Sequence, residues 1–477
     1  MKTGFAQVRT DDCCDFEMGG TFTNYLASSC VFHSPLYASA WAVSAGENSF
    51  IWVSSDLARF AESDADLIRQ EIAEKTGVPF DHILCSATHA HAGPTARPSI
   101  SPYFEHGDLS YFARFGARIA EAGVKAWENV GDAYLSYGRA DEPKCVHNRR
   151  YIMETGESMM EPGGPEFPGR LMKEGPEDPE LQVIWFMRDK NYNYNSTEDK
   201  PIGVIVNYSS HASEVYGEKW VSAGFPGVIR RNLQAVYGDI PVLYLQGFCG
   251  NLTPRDHEHD NTWGHYIDGT ERIGTVLSGD ILRLIALERK RKDVPADEIR
   301  IRTEKCRLSL REVTEADRKE SDRIFGILAK DRAAFDALDV KEKAYANKIK
   351  NLEKKWLNGP TEDVPISAVR LDDIILLAHP AELFCEYQLD MKKRLGPKTV
   401  GVELTNGGIC YVGTKQAYLH KGYEINSGFY DYYAGEVIEE SLIKLAAKVG
   451  RPELPVKPYD EAAKHRLQRT EIPSLGP

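Results

Sequence analysis

The first half of the chain alternates short apolar runs with amphipathic stretches. The runs SFIWVSSDL and HILCS are rich in β-branched and aromatic residues, as buried strands are. The stretches DADLIRQEIAEKTG and SYFARFGARIAEAGVKAWENV repeat apolar residues at helical spacing. Strands that alternate with helices are typical of layered α/β proteins. The pattern therefore predicts an α/β fold in which layered mixed sheets are flanked by helices.

Three further apolar runs, QVIWFMRD, IGVIVNYSSHAS and PVLYLQGFCG, also have the composition of buried strands. Each ends in polar or glycine-containing residues, and functional residues commonly lie at such strand ends. The segment from Tyr151 to Lys173 precedes these runs and is rich in Gly, Pro, Glu and Met. Because it shows no period, we predict a long surface or active-site loop there.

The composition changes at about residues 312–357, where charged residues and alanine surround Ile, Leu and Phe at helical spacing. This pattern predicts a helical hairpin inserted between strands. The runs ISAVRLDDIILLAHP and KTVGVELTNGGICYVG then indicate strands, and GEVIEESLIKLAAKVG indicates a closing helix. We predict a single large catalytic domain over residues 1–450, with the insertion inside it, and a C-terminal tail over residues 451–477.

Composition narrows the classes of partner. The 477 residues are 42% hydrophobic and 27% charged, which is ordinary for a folded protein, and the formal net charge of −13 disfavours binding to nucleic acid or anionic lipid. The N-terminus lacks the apolar region of a signal peptide, and no run of about 18 apolar residues is present to form a transmembrane segment. Nine cysteines without CxxC spacing fit reduced thiols. We expect a cytoplasmic protein with a small-molecule substrate, as a monomer or a homo-oligomer.

Two histidines, His89 and His91, lie in SATHAHAGP just after the strand-like run HILCS. In an extended segment, residues two apart point to the same face, so both imidazoles could reach one centre. Imidazole is a zinc ligand and also a general acid or base near pH 7. A pair of surface histidines at a strand end is the alternative interpretation.

Two other candidate ligands follow apolar strands. His211 lies in NYSSHASEV after IGVIVN, where a packing role is the alternative. Glu382 lies in LLAHPAELF after IILLAHP, and a carboxylate at the edge of a core is costly unless a metal or an arginine neutralises it. The nearby His379 is a competing ligand.

A series of segments in order along the chain carries a family resemblance. It begins with TGFAQV, LYASAWAV, WVSSDL, SATHAHAGP, HNRR and GPEDPEL, and continues with NYSSHAS, SAGFPG, LYLQGFCGNLTPRD, HPAELF, LTNGGICYVGT and KGYE. In these segments the chain resembles the neutral/alkaline, non-lysosomal ceramidase family, specifically its N-terminal catalytic domain. The resemblance covers most of the chain and is interrupted mainly by the helical insertion.

The resemblance implies a zinc site. In the family the ligands are the first histidine of the HxH motif, a histidine after a later strand, a glutamate in a Pro-Gly-Glu turn and a following tyrosine. These positions fall on His89, His211, Glu382 and Tyr411. Two nitrogens, a carboxylate and a phenolate form a donor set that suits Zn²⁺.

The resemblance also implies two catalytic positions. His91 and Arg149 of HNRR match residues that contact the substrate and stabilise the developing oxyanion. Arginine suits that task because its fork donates two hydrogen bonds and keeps its charge. A structural salt bridge is the alternative role for Arg149.

The sequence departs from the family in three places. Where ceramidases have Gly-Asp-Val-Ser-Pro, with the serine as proposed nucleophile or water-positioning group, this chain has GNLTP, and Thr253 is β-branched and stiffer, which argues against a nucleophilic role. Gly224 replaces the acidic residue of the Ser-Ala-Asp-Phe-Pro-Gly stretch. We also expect the C-terminal immunoglobulin-like domain of full-length ceramidases to be absent, because only about 50 residues follow KGYE.

Three functions are compatible with these residues. The resemblance implies a zinc-dependent hydrolase that cleaves an amide (N-acyl) bond of an N-acyl lipid, with metal-activated water as nucleophile. A metal-dependent enzyme acting on a soluble carbohydrate-derived substrate, such as a glycoside or lactone, is the second, and a non-catalytic ligand-binding homologue is the third. Amide hydrolysis is what the resemblance implies, and the third function is the least favoured because all four ligand-type residues are present.

Overall fold

The computed structural model describes residues 1–13, 15–18, 26–94, 111–191, 199–216, 218–259, 263–338 and 340–455. The strands are β1 (Lys2–Arg9), β2 (Val31–Phe32), β3 (Tyr37–Ser44), β4 (Phe50–Ser55), β5 (Ile83–Ala87), β6 (Gly131–Asp132), β7 (Tyr134–Asp141), β8 (His147–Asn148), β9 (Arg150–Met153), β10 (Ser158–Met160), β11 (Arg170–Lys173), β12 (Glu180–Met187), β13 (Gly203–Tyr208), β14 (Trp220–Val221), β15 (Val242–Gln246), β16 (Leu252–Thr253), β17 (Ile299–Ser309), β18 (Thr361–Leu371), β19 (Ile374–Ala378), β20 (Glu382–Leu383), β21 (Thr399–Val402) and β22 (Tyr411–Val412). The helices are α1 (Glu62–Thr76), α2 (Tyr111–Glu128), α3 (Gly224–Tyr237), α4 (Tyr266–Leu287), α5 (Glu315–Lys330), α6 (Arg332–Asp336), α7 (Val340–Trp356), α8 (Cys385–Leu395), α9 (Lys415–His420), α10 (Tyr423–Ser427) and α11 (Ala434–Lys448).

Three larger sheets form the centre of the molecule. Their strand orders are β5-β4-β3-β1-β6, β15-β13-β12-β7 and β17-β18-β19-β21. Each sheet is mixed, because β4 with β5, β13 with β15 and β19 with β21 are parallel pairs, while the other pairs are antiparallel. The parallel pairs bring several carboxyl ends of strands into the same region.

The first sheet lies between a helical layer and the other two sheets. Ile51 on one face packs with Phe115 of α2. The neighbouring Trp52 points to the opposite face, as alternation along a strand requires, and packs with Phe186 of the second sheet and Leu376 of the third. These strands are therefore apolar on both faces, which explains their continuous hydrophobic sequences.

The second and third sheets lie side by side and form one layer. The amide of Asn207 in β13 donates hydrogen bonds of 2.8 Å to the carbonyl oxygens of Leu245 in β15 and Gly401 in β21. Helices α3 and α4 cover the outer face of the second sheet, and α8 and α11 cover that of the third. The layers therefore follow in the order helices, first sheet, second and third sheets, helices. This order confirms the predicted α/β layers.

Three helices lie in the region for which the sequence predicted a hairpin. Helices α5, α6 and α7 connect β17 to β18, and those two strands pair along their full length. Thr314 and Asp317 form a capping box that begins α5. The division between a domain at 1–450 and a tail stays a prediction, since residues 456–477 lie outside the described part.

The segment from Tyr151 to Lys173 is not wholly a loop. It contains β10 and β11, which pair with either edge of β9 as a three-stranded sheet. Strands of three or four residues are too short to show a period of two in sequence. The loop prediction was therefore wrong for these two strands.

No helix among the described residues is long and apolar enough to cross a membrane.

Candidate metal centre

The residues predicted to bind metal follow three central strands. His89 follows β5, His211 follows β13 and Glu382 begins β20, shortly after β19. The chain beyond β21 then pairs with β5, where Ala87 N donates to Leu404 O at 3.2 Å and Asn406 N donates to Cys85 O at 2.7 Å. This pairing brings the stretch that leads to β22 against the end of β5.

The two imidazoles of His89 and His211 face each other through their Nε2 atoms, which are 2.7 Å apart. Each ring uses its other nitrogen on a backbone carbonyl: His89 Nδ1 lies 2.7 Å from Ala58 O, and His211 Nδ1 lies 3.1 Å from Cys249 O. A carbonyl oxygen can only accept, so each Nδ1 carries the proton and each neutral ring presents a bare Nε2 lone pair. Two lone pairs at this distance repel unless a cation lies between them.

The Glu382 carboxylate adds an unpartnered oxygen to the same place. Its Oε2 is 3.4 Å from His89 Nε2 and 3.7 Å from His211 Nε2, is buried, and makes no hydrogen bond. Burial raises the pKa of Glu382, and positive charge at His89 and on the Arg59 guanidinium lowers it to about 2, so this carboxylate is ionised when a cation lies beside it. A buried, ionised carboxylate oxygen without a donor is a strong indication of a missing positive charge.

Tyr411, the fourth predicted ligand, lies on β22, the strand that pairs with β20. Glu382 and Tyr411 are direct partners in the parallel pairing of β20 with β22. The Tyr411 ring stacks on the His211 ring, with 6.4 Å between centroids. Burial and the Glu382 carboxylate raise the pKa of Tyr411 well above its ordinary value, so its phenolate form requires a neighbouring cation.

These residues fit a zinc ion. Ring nitrogens, a carboxylate and a phenolate are donors that zinc takes in proteins, and the carbonyls of Ala58 and Cys249 hold the two rings as second-sphere acceptors usually do. Ligand nitrogens of a tetrahedral zinc stand roughly 3.3 Å apart, given zinc–nitrogen bonds of about 2.0–2.1 Å. The distance between the Nε2 atoms of His89 and His211 would therefore increase slightly when zinc binds.

His91 joins the cluster, though not for the reason that the spacing suggested. The ligand atoms of His89, His91 and His211 all lie within 4.8 Å of one another. The backbone is not extended at His89, where φ is +63°, in the left-handed region that non-glycine residues rarely adopt. His91 Nε2 is 3.4 Å from His89 Nε2, its ring is half-buried, and Tyr216 packs against it with 5.7 Å between centroids.

The competing histidine, His379, lies apart from this cluster. Its Nδ1 accepts a hydrogen bond from Ala381 N at 3.1 Å, and its ring packs against Phe248 with 4.4 Å between centroids. Burial lowers the pKa of His379 to about 3. It is a neutral core residue in the described structure.

Arg149 forms the structural salt bridge that was the alternative to its predicted oxyanion role, which stays a prediction. Its Nε donates to Glu424 Oε1 at 2.9 Å, and one terminal nitrogen donates to Gly250 O at 2.7 Å. The same guanidinium stands 5.3 Å above the centre of the Tyr411 ring. The salt bridge therefore holds a buried positive charge beside Tyr411, one of the predicted ligands.

Thr253 is tied to residues that the sequence did not single out. Its Oγ1 donates to Glu161 Oε1 at 2.7 Å, and Glu161 Oε2 accepts from Arg255 at 2.9 Å. Burial raises the pKa of Glu161, but Arg255 and Arg149 bring it below the ordinary value, so this carboxylate is a weak base. Glu161 comes from the aperiodic segment, and no local pattern marks it.

The neighbouring Glu214 explains why Gly224 stands where the resemblance implies an acidic residue. Gly224 begins α3, and Glu214 Oε1 accepts a hydrogen bond from Phe225 N at 3.2 Å in the first turn of that helix. A Cβ at Gly224 would lie 3.4 Å from Glu214 Oε2. An acidic side chain at 224 would therefore meet a carboxylate that is already present.

Comparisons with known proteins match the fold. No protein-family model and no curated protein matches the sequence. A solved ceramidase complexed with C2 is similar with a TM-score of 0.66 and 15% identity, over 96% of this chain and 76% of that one. Neutral ceramidase from Pseudomonas aeruginosa is similar with a TM-score of 0.64 and 15% identity, over 96% of this chain and 75% of that one. The chain has the fold of neutral ceramidase.

Proposed function

We propose that this protein is a zinc-dependent hydrolase that cleaves an amide (N-acyl) bond, with His89, His211, Glu382 and Tyr411 as the zinc ligands. One observation carries the proposal: two bare Nε2 atoms 2.7 Å apart and an unpartnered, ionised Glu382 oxygen converge in a buried site. The fold of neutral ceramidase supports the same activity.

The chain's own residues supply positioning and proton transfer. A zinc ion there would polarise the substrate carbonyl and lower the pKa of a bound water. His91 is half-buried beside the ligands, within reach of a proton on the attacking water and of the leaving nitrogen. Arg149 is fixed by Glu424 and Gly250, so its charge is already in place for a developing oxyanion.

The reaction consumes one water. The water oxygen adds to the acyl carbon, the C–N bond breaks, and a proton reaches the leaving nitrogen through His91. The products are a carboxylic acid and an amine. The Thr253 hydroxyl donates a hydrogen bond to the Glu161 carboxylate and orients the pair that Glu161 forms with Arg255. Because that carboxylate is a weak base, Thr253 does not act as the nucleophile.

The test combines metal analysis with a panel of substrates. The purified protein is assayed on N-acyl amines, oligosaccharides and lactones before and after chelation, and again after zinc is restored. We expect amide hydrolysis that is lost with the metal and returns with zinc. Metal-dependent cleavage of the sugar-derived substrates alone would favour the second function named above. Metal binding without turnover of any class would favour a ligand-binding protein.

A further inference from the structure

Glu403 carries a fully buried carboxyl group directly after β21, outside the proposed ligand set. Its backbone amide donates to the carbonyl oxygen of Gln246, the last residue of β15, at 3.0 Å. The proposed ligands His211 and Glu382 follow β13 and β19, the strands that pair with β15 and β21. Glu403 is therefore fixed among the strand ends that lead to two of the ligands.

The carboxyl group of Glu403 joins two separate segments of the chain. Its Oε2 atom accepts hydrogen bonds from Cys249 N and from Leu383 N, each at 3.2 Å. Its Oε1 atom accepts a further hydrogen bond from Cys249 Sγ at 3.0 Å. All three residues are buried, where water does not replace a lost hydrogen bond. Glu403 thus cross-links the segments that contain Cys249 and Leu383.

The Cys249 segment leads to His211. The carbonyl oxygen of Cys249 lies 3.1 Å from His211 Nδ1, and Cys249 Sγ lies 3.2 Å from the same nitrogen. Glu403 therefore holds the amide and the thiol of the residue whose carbonyl orients the imidazole. A shift of Cys249 would turn the His211 ring and move Nε2, the atom that would bind the ion.

The Leu383 segment leads to Glu382. The amides of Glu382 and Phe384 donate to Cys410 O and Val412 O in the pairing of β20 with β22, at 3.0 and 3.3 Å. Amides alternate in direction along a strand, so Leu383 N points away from β22 and requires another acceptor. Glu403 supplies that acceptor, one residue from Glu382.

The two cross-linked segments also contact each other directly. Gly250 N donates to Leu383 O at 3.0 Å, and a Cβ at Gly250 would lie 2.5 Å from Glu382 O. Because a contact that short forces the backbone to move, this approach requires a glycine. The acceptor of the His211 ring and the backbone of Glu382 are therefore held in one junction, and the shared oxygen of Glu403 closes it.

We infer that Glu403 is a positioning residue for the zinc site, which fixes His211 relative to Glu382 through its hydrogen bonds to Cys249 and Leu383. This inference rests on the zinc site of the proposed function and does not depend on which bond is cleaved. Groups that orient metal ligands typically change metal affinity or activity by about 10- to 100-fold when they are replaced. A buried acceptor with a structural role alone would affect stability and leave zinc affinity unchanged.

The test measures zinc affinity in variants of the full chain. The metal-free protein competes with a chromophoric chelator for zinc, and the visible spectrum of the cobalt-substituted protein reports the ligand geometry. Glu403→Leu removes both acceptor oxygens at similar volume, so zinc binding should weaken by about 10- to 100-fold and the cobalt spectrum should change. Glu403→Gln keeps one oxygen that can accept from both amides, so it should restore both readouts to near the wild type.

Two further variants separate positioning from charge and from stability. Glu403→Asp keeps the charge but shortens the side chain by one methylene, so it should bind zinc at least about tenfold more weakly than Glu403→Gln. Ser49→Ala is the control for stability, because Ser49 Oγ accepts from the buried Ala45 N at 3.0 Å in the connection between β3 and β4. It should lower the free energy of unfolding and keep the wild-type zinc affinity.

Wild-type zinc affinity and an unchanged cobalt spectrum in Glu403→Leu would overturn the inference. A Glu403→Gln variant as weak as Glu403→Leu would overturn it too, because charge would then explain the loss. If Glu403→Leu does not fold, Glu403→Asp decides, since zinc affinity equal to that of Glu403→Gln contradicts positioning and a tenfold loss supports it. A wild type that binds neither zinc nor cobalt refutes the proposed zinc site and this inference with it. Zinc binding without amide hydrolysis refutes the proposed activity alone.

Discussion

Glu382 and Tyr411 lie directly opposite each other in the parallel pairing of β20 with β22, and the amide of Glu382 donates to Cys410 O at 3.0 Å. Backbone hydrogen bonds thus set the spacing of the two proposed oxygen ligands, just as the carbonyls of Ala58 and Cys249 set the two nitrogen ligands. Four donors anchored in this way need little rearrangement to bind an ion.

We predict about one zinc per chain in the purified protein. His89→Ala and His211→Ala should lower metal content and activity together, because each removes a proposed ligand from a buried site. His259→Ala is the matched control, since that ring is exposed and is not a member of the proposed ligand set. Elemental analysis of the three variants tests this, and full metal content in both ligand variants would refute the assignment.

His91 and Thr253 should differ strongly in their effect on turnover. His91→Ala should keep its zinc and turn over at least about a hundredfold more slowly, because general acid–base help is typically worth 10²- to 10⁴-fold. Thr253→Ala should stay within roughly tenfold of the wild type, or about 1.4 kcal/mol. Steady-state kinetics with metal analysis measures both effects. Loss of zinc in His91→Ala would make it a ligand, and the reverse ranking would indicate a threonine nucleophile.

Glu424 should be important for stability. Its carboxylate binds both Arg149 and Arg150, and all three side chains are buried. Glu424→Gln leaves the buried Arg149 without its carboxylate partner and Arg150 with Glu174 alone, which should lower the free energy of unfolding by roughly 3–5 kcal/mol. The control Asp363→Asn breaks the exposed pair with Arg307 and should leave the free energy of unfolding nearly unchanged. Urea unfolding of both variants decides whether the Glu424 cluster has this role.

Glu439 on α11 should make stability depend on pH. Burial and the nearby Asp390 raise its pKa from 4.5 to about 8. The folded state therefore binds this proton more tightly than the unfolded state, and the associated stability is present below pH 4.5 and lost as pH rises through about 8. Across that pH window the free energy of unfolding of Glu439→Gln should rise relative to that of the wild type, by up to about 1.4 kcal/mol per pH unit. Denaturation at pH 5, 6.5 and 8 measures the difference, and a constant difference would contradict the prediction.

The strand ends and the candidate ligands that follow them could be predicted because both signals are local. Apolar runs mark β5, β13 and β19, and a polar residue directly after such a run, as with His89 or His211, is visible without any knowledge of packing. The ordered family segments added Tyr411, whose own surroundings in sequence resemble those of a core residue. The assumption of an extended backbone at the HxH motif failed, because φ at His89 is set by the tertiary contacts around it.

Tertiary structure alone decided which groups are paired and which are not. Thr253 meets Glu161 from 92 residues away, and Arg149 meets Glu424 from 275 residues away. The sequence by itself determined the layers and the strand ends, since these follow from short-range periodicity, and its ordered family segments gave the proposed ligands. The balance of charge around the proposed ligands was decided by the tertiary structure, since Coulomb interactions depend on distance in space and not on distance along the chain.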